Sequence, residues 1–418
     1  VPPHVTTPPV TAQPVTAPPG VATGRRTPLF PFLVVASALV LMAAQAAAPT
    51  PLYPLYAERW GFDDFTTSQI FTVYIASQSV MLFLFGSLSD FVGRKPVSVI
   101  AVGLVVVAAV VLATADSLGD LLWGRTLQGL ASGLGFGTLG AALLDQSPPH
   151  RHHAVAVINS SVPPLAQGIG ALVSGLAVEF LPHPFWLGYA VVAVLSAIVL
   201  VGVWVIPERS ERRPKNLRAM LPTFLCPPSS RSRFGVAAWA LCASWALLGL
   251  YLGVGPTIAR ELFDVSSPSM AGLLVLLVSG AAAVLGATTF GVSGERMLRV
   301  GSVALVVGVA LMVVAVSTAS FALFCVASVV GGVGFGGGFQ GGVKVLMAVT
   351  VPSERGGTLS LLYLVAYVAF GLPTLVAGLA VPALGLGPVV DCYAALIALL
   401  AVAGLVSART LRAGVVHS

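Results

Sequence analysis

Apolar runs of about 20 residues, the length that crosses the hydrocarbon core of a bilayer, recur along almost the whole chain. Twelve are read, near residues 29–48, 66–86, 96–114, 120–144, 154–180, 184–206, 234–258, 270–290, 298–317, 320–348, 358–380 and 388–408. Lipid offers no hydrogen-bond partner to a peptide group, and runs this long with little alternation do not suit barrel strands. All twelve are therefore predicted to be helices. Composition agrees: of 418 residues, 57% are hydrophobic and 9% charged, against about 25% charged in a soluble domain. The predicted fold class is an all-α membrane protein.

The net charge of +6 could point to nucleic acid, but the distribution of the basic residues excludes it. Arg25, Arg26, Arg94, Lys95, Arg151, Arg209, Arg212, Arg213, Lys215, Arg218, Arg231, Arg233, Arg296, Arg299, Arg355, Arg409 and Arg412 all fall on one side of the membrane when the twelve spans are threaded. Only Arg59 and Arg260 fall on the other side, with Arg125 and Lys344 inside spans. Positive loops face the cytoplasm, so both termini are expected there. The opposite loops and nearby helix ends are acidic: Glu58, Asp63, Asp64, Asp116, Asp120, Glu179, Glu261 and Asp264. Cys226, Cys242, Cys325 and Cys392 have no metal or redox spacing and read as packing residues. Residues 1–28, rich in Pro and Thr, cannot bury a core and read as a disordered cytoplasmic tail. No short apolar segment with a cleavage site precedes the first long span, so the tail does not read as a secretory signal.

The longest polar interruption, the basic segment 207–233, divides the spans six and six. The expected organisation is a first bundle over 29–206, this cytoplasmic linker, a second bundle over 234–409 and a short tail over 410–418. The halves resemble each other. FGSLSDFVGR at 85–94 answers FGVSGERMLR at 290–299, and SPPHRHHAVAV from 147 answers VPSERGGTLSL from 351; together they argue for an internal repeat. GVGFGG at 332–337 has the glycine spacing of a dinucleotide loop, but that loop needs a strand before it and an acid roughly 20 residues after it. Here the glycines lie inside an apolar span, as does GLGFG at 133–137. They are predicted to be surfaces where helices approach closely.

GSLSDFVGRKPV at 86–97 forms a short loop between the second and third spans, with Gly93 placed for a tight turn. Asp90 and Arg94 are four residues apart, and Asp145 closes the inner end of the fourth span. A carboxylate at that depth is costly without a partner or a helix N-terminus. The segment resembles the signature loop of the major facilitator superfamily, matching it at Gly86, Leu88, Asp90, Gly93, Arg94 and Lys95 and departing from it at Phe91. TPLYPLYAERWGF at the end of the first span, GRTLQG in the fourth and the Pro-Ser-Glu-Arg-Gly loop at 352–356 extend the likeness over 29–409. The resemblance implies two pseudo-symmetric six-helix bundles, one midplane substrate site between them, and alternating access. It further implies that Asp90 lies against the start of the eleventh helix near Gly357 and that Arg94 pairs with Asp145. Gly86, Asp90, Gly93, Arg94 and Asp145 would then form a conformational latch.

Arg125, in the outer half of the fourth span, resembles the motif arginine of proton-coupled exporters. A lone arginine at that depth needs a cavity or a carboxylate. Glu179 and Asp391 are the other candidates for proton coupling, because the first helix carries no carboxylate. Gln45, Gln78, Gln128, Asn159 and Gln167 supply neutral polar groups, and Trp245, Tyr363 and Tyr367 apolar walls, for a candidate substrate cavity. Lys344 can snorkel to the inner surface, and His150, His152 and His153 read as a solvated loop. The antiporter signature expected in the fifth helix is degraded: Gly170 and Gly175 are present, but Ala171 stands where proline is expected. The reading is a proton-coupled exporter of small amphipathic molecules in a bacterial inner membrane. It acts as a monomer in the lipid bilayer, with a small-molecule substrate and a coupling proton, and needs no cofactor, metal or nucleic acid. A nutrient importer on the same fold and a non-transporting membrane sensor are the alternatives; a membrane enzyme lacks the clustered acids and histidines it would need.

Overall fold

The computed structural model describes residues 29–148, 152–210, 226–289, 291–351 and 354–413. The N-terminal tail, His150, Arg151, residues 211–225 of the linker and residues 414–418 lie outside the described residues, as do the side chains of His152 and His153. All regular structure among the described residues is helical. In chain order the helices are α1 (Leu29–Ala47), α2 (Tyr53–Trp60), α3 (Asp64–Phe85), α4 (Leu88–Val92), α5 (Arg94–Ala113), α6 (Leu118–Asp145), α7 (His152–Phe180), α8 (Leu187–Val205), α9 (Arg231–Gly253), α10 (Gly255–Phe263), α11 (Pro268–Thr288), α12 (Gly294–Ser317), α13 (Phe321–Met347), α14 (Arg355–Leu384) and α15 (Leu386–Ala413). They supply 12 candidate membrane spans, the first running through α1 and α2 over Leu29–Trp60.

Local chemistry sets the helix ends. Asp63 caps α3 by accepting the Thr66 N–H at 2.9 Å, and these hydrogen bonds hold the Asp63 carboxyl below its ordinary value. Ser117 and Asp120 form a reciprocal capping box at the start of α6, and Ser267 and Ser320 cap α11 and α13. Gly93, at φ 112°, makes the sharp turn between α4 and α5 that a side chain would resist.

The packing repeats between the halves. In the first, α6 packs on α3 and α5, α8 packs on α5, and α1 touches α6, α7 and α8. In the second, α13 packs on α11 and α12, α15 packs on α12, and α9 touches α13, α14 and α15. Exchanging α1, α3, α5, α6, α7 and α8 for α9, α11, α12, α13, α14 and α15 maps one pattern onto the other. The two largest interfaces between bundles, α7 with α11 and α14 with α3, exchange as well. This is the arrangement of two pseudo-symmetric six-helix bundles.

Glycines permit the closest approaches. A Cβ at Gly332 would collide with the Val278 carbonyl, one at Gly133 with the Gln78 carbonyl, and one at Gly301 with the backbone of Gly337 and Gly338. The nucleotide-like spacing is therefore a helix-packing surface. Val107, Val194, Ile198, Val201 and Leu399 are exposed on the outside of the bundles, where lipid rather than water is their solvent. Replacing Gly301 with leucine should cost about 1–3 kcal/mol through overpacking and lower the melting temperature in detergent. Gly103→Leu, at a site with nothing within 4 Å of a new Cβ, should leave it nearly unchanged; equal effects would remove backbone contact as the cause.

Candidate substrate cavity and its flanking contacts

The two bundles are joined on one side and parted on the other. On the face remote from the described chain ends, one apolar cluster runs through both halves, including Leu52, Tyr56 and Phe71 from the first and Leu250, Ile258 and Val381 from the second. Toward the terminal face the core splits. A cluster around Leu39, Val102 and Leu139 belongs to the first bundle alone, and clusters around Leu241 with Leu362 and around Val236 with Leu298 belong to the second. A cavity of about 320 Å³ lies between the bundles below the continuous seal.

Its walls differ chemically. The first bundle contributes Tyr74, Gln78, Ser132, Asn159 and Gln167; the second contributes Trp245, Phe335, Phe339, Tyr363, Tyr367 and Phe370. The rings of the second wall meet edge to face, Trp245 lying 4.8 Å from Tyr367, 5.1 Å from Phe370 and 6.0 Å from Phe339. Gln78 Nε2 bridges the bundles by donating to the Tyr367 hydroxyl at 2.9 Å. Six of the eight residues expected to face a substrate therefore share one cavity. Pro163 and Pro164 line it too, within an α7 that continues through both.

Gln45 and Gln128 stand behind the wall, in a buried network around Arg125. The Arg125 guanidinium donates to the Ala46 carbonyl at 3.0 Å and to Gln128 Oε1 at 2.7 Å, and Gln128 Nε2 donates to the Gln45 carbonyl at 3.0 Å. Its charge lies over the Tyr74 ring, 4.3 Å from the centroid. Arg125 is 1% exposed and has no carboxylate partner among the described residues. Tyr74 in turn bonds Ser132 at 3.4 Å, and both line the cavity, which Arg125 does not.

The signature loop is organised around an ion pair between Arg94 and Asp145, with Arg94 also donating to the Ala141 carbonyl at 2.7 Å. Asp90 is half-buried on α4, and among the described residues no hydrogen bond or ion pair links its carboxylate to the start of α14. That differs from the expected approach to Gly357, and the parted terminal face supplies the reason, since the two elements belong to different bundles. Sequence reasoning missed the start of the linker. Glu208 accepts the Lys95 N–H at 2.9 Å and the Ser210 hydroxyl at 2.6 Å, and Ser210 accepts the Arg94 N–H at 3.3 Å. These residues cap the free amides of α5. Lys344 Nζ reaches the Val292 carbonyl at 3.3 Å.

The remote seam has its own polar contacts. Glu179, at the end of α7, accepts the Ser267 hydroxyl at 2.6 Å and the Ser269 N–H at 3.1 Å, fastening α7 to the first turn of α11. Arg260 pairs with Glu58 at 2.6 Å, a surface pair worth only about 0–1 kcal/mol. Close packing is the larger contribution to the seam. A Cβ at Gly175 would strike the Pro268 carbonyl, one at Gly272 the Ala171 carbonyl, and one at Gly378 Ser68. Asp391 is exposed on α15, and neither it nor Glu179 lines the cavity. Tyr74, Phe335, Phe339 and Phe370 were not singled out from sequence. The signal was there, because Tyr74 is one turn from Gln78, Phe335 one turn from Phe339, and Phe370 one turn from Tyr367.

Removing the Glu179 carboxylate should loosen the seam: spin labels at Leu181 and Ser266, on either side of the contact, should show a longer and broader distance in Glu179→Ala than in the parent. Burial, and then the charge of Asp64 in the other bundle, raise the Glu261 carboxyl above its ordinary value. The joined seam therefore holds a proton more tightly than a parted one. Closure should strengthen as pH falls through the Glu261 pKa and weaken above it, and a distance independent of pH would remove that contribution.

Comparison with known proteins agrees with the geometry. The family model of the Major Facilitator Superfamily matches residues 34–315. Multidrug resistance protein MdtL of Klebsiella pneumoniae is 26% identical over 234 residues, 54% of this chain and 58% of that protein. Multidrug transporter MdfA of Yersinia pestis is 28% identical over 198 residues, 46% of this chain and 47% of that protein. The matched stretches thus span about half the length of these curated relatives. Among solved structures, nucleoside transporter NupG superposes with a TM-score of 0.73 at 14% identity, covering 90% of this chain and 99% of that one. A bacterial homologue of the lysosomal transporter Spinster, solved inward-facing and unoccupied, gives 0.72 at 14% identity, covering 93% and 98%; both show the fold. With its paired six-helix bundles and the match over most of its length, the chain belongs to the Major Facilitator Superfamily of membrane transporters.

Proposed function

We propose that this transporter exports small amphipathic molecules from the bacterial cytoplasm across the inner membrane by alternating access, driven by a proton gradient. The observation that carries the proposal is the asymmetric joining of the bundles: a cavity with one aromatic and one polar wall, sealed on the remote face and parted toward the basic face. The distribution of basic residues supports a cytoplasmic terminal face, so the cavity in this state receives solutes from the cytoplasm. The names of the multidrug relatives support export. In the opposite state the remote seam parts, and Asp90 gains the start of α14 as its partner while Arg94 and Asp145 keep the loop in place. Contacts made in only one state set the balance between the two. Arg125, Glu179 and Asp391 are our candidates for proton coupling. Arg125 packs on Tyr74, which lines the cavity, whereas Glu179 acts through the seam.

Purified protein in vesicles with an imposed pH gradient tests the reading. An acidic interior should drive accumulation in inside-out oriented protein; accumulation driven only by an acidic exterior would instead mark an importer. Asp90→Asn should slow turnover about tenfold, as a loss of ~1.4 kcal/mol of state-specific stabilisation would, while binding persists. Arg125→Ala should abolish pH-driven flux, and normal flux in that variant would end its assigned role. Glu179→Gln and Asp391→Asn, made separately, should show which carboxylate sets the pH dependence.

A further inference from the structure

The cavity walls contain no Asp, Glu, Lys, Arg or His among the described residues. An organic cation entering them would lose hydration without gaining a counter-ion, a cost that packing does not repay. The charge nearest the polar wall has the wrong sign. Arg125 is buried without a carboxylate and lies over Tyr74, so that ring already serves one cation and a second beside it would meet the repulsion of the first. On the opposite wall Trp245 meets Tyr367 at 69° and Phe370 at 82°, so these rings shield one another's faces rather than boxing a charge between them.

Three hydrogen-bonding atoms of lining residues are buried without a partner among the described residues, Gln78 Oε1, Asn159 Oδ1 and Trp245 Nε1. Gln78 bonds a hydroxyl that can take either role, whereas the polarity of the other two is fixed. Asn159 spends its amide nitrogen on the Gly140 carbonyl at 3.0 Å, which orients the amide because a carbonyl can only accept; its Oδ1 is buried without a partner among the described residues. Trp245 Nε1, which can only donate, is likewise buried without one. A lining residue of the first bundle thus holds an unmet acceptor and one of the second an unmet donor, and each costs free energy until a ligand satisfies it. At about 320 Å³ the space is near the small end of ligand pockets, roughly 300–1,000 Å³.

We infer that the cavity selects uncharged aromatic solutes that carry both a hydrogen-bond donor and an acceptor, the donor meeting Asn159 and the acceptor Trp245, and that it rejects organic cations. The inference rests on the reading of this cavity as the transport site and narrows its substrates. It makes Asn159 and Trp245 specificity-determining residues.

Three fused-ring probes of one shape separate the contributions, with binding read from tryptophan quenching of the purified full chain in nanodiscs. Acridone is neutral, with an N–H and a carbonyl; N-methylacridone keeps the carbonyl alone; N-methylacridinium is a permanent cation. Acridone should bind about tenfold more tightly than N-methylacridone, the worth of one buried hydrogen bond, and the cation more weakly still. Asn159→Leu should erase the difference between the two neutral probes. Trp245→Phe, which keeps a ring, should weaken both, with binding then followed by probe fluorescence. Asn159→Asp should admit the cation, a gain that a misfolded variant could not show. Binding of N-methylacridinium to the parent as tight as that of acridone, or no binding of acridone, overturns the inference. Acridone binding without any flux would leave the inference standing and count against the transport reading instead.

Discussion

Lipid cannot hydrogen-bond a peptide group, and everything else in this protein follows from that constraint. It forces each crossing segment into a helix, and it removes hydrophobic segregation as a means of holding helices together, since the surrounding tails are as apolar as the side chains. What remains is close contact. Gly301 against Gly337 and Gly338, Gly133 against Gln78, and Gly175 against Pro268 bring backbones to distances that any side chain would prevent. The abundance of glycine, 45 residues, is a cost in an isolated helix, offset here by the packing it allows.

The same constraint makes each polar group inside the membrane conspicuous. Arg125 is buried without a carboxylate, yet its guanidinium is bonded to a backbone carbonyl and a glutamine and rests on a tyrosine ring. Such an arrangement tolerates the charge without cancelling it, and the ring it rests on, Tyr74, also lines the cavity. Asn159 and Trp245 are the complementary case, neutral groups left with an unmet bond on the wall of a space that a solute can fill. Incomplete satisfaction is costly in a core that need only be stable; at a binding site it is how specificity is expressed.

The polar contacts at the two faces differ in kind. At the remote seam they run between bundles, Glu179 to α11 and Arg260 to Glu58. At the terminal face they stay within one bundle or the other: Arg94, Asp145, Glu208 and Ser210 tie α5, α6 and the start of the linker together in the first, and Lys344 reaches the Val292 carbonyl in the second. The first set records which face is joined. The second ties the signature loop to its own bundle.

Much of the fold was legible in the sequence. Apolar runs of spanning length, the basic break after residue 206 and the recurrence of FGSLSDFVGR in FGVSGERMLR are one-dimensional signals of a one-dimensional constraint, because each helix must cross the bilayer whatever its neighbours do. Gly93 at its turn and the pairing of Arg94 with Asp145 were legible for a similar reason, the backbone and charge demands being local or carried by a specific motif. The site was legible in part. Gln78, Asn159 and Gln167 were visible as polar residues in apolar helices, and Trp245, Tyr363 and Tyr367 as aromatic neighbours. Among polar residues of equal prominence, nothing in the order of residues separated Gln45 and Gln128, which serve Arg125 behind the wall, from Gln78, which faces the cavity. Nor could it seat Glu208 on the amides of α5, or set Glu179 against α11. Those outcomes depend on how each helix is rotated about its axis and which bundle it meets, and both are decided only when the packed surfaces of the whole assembly come together.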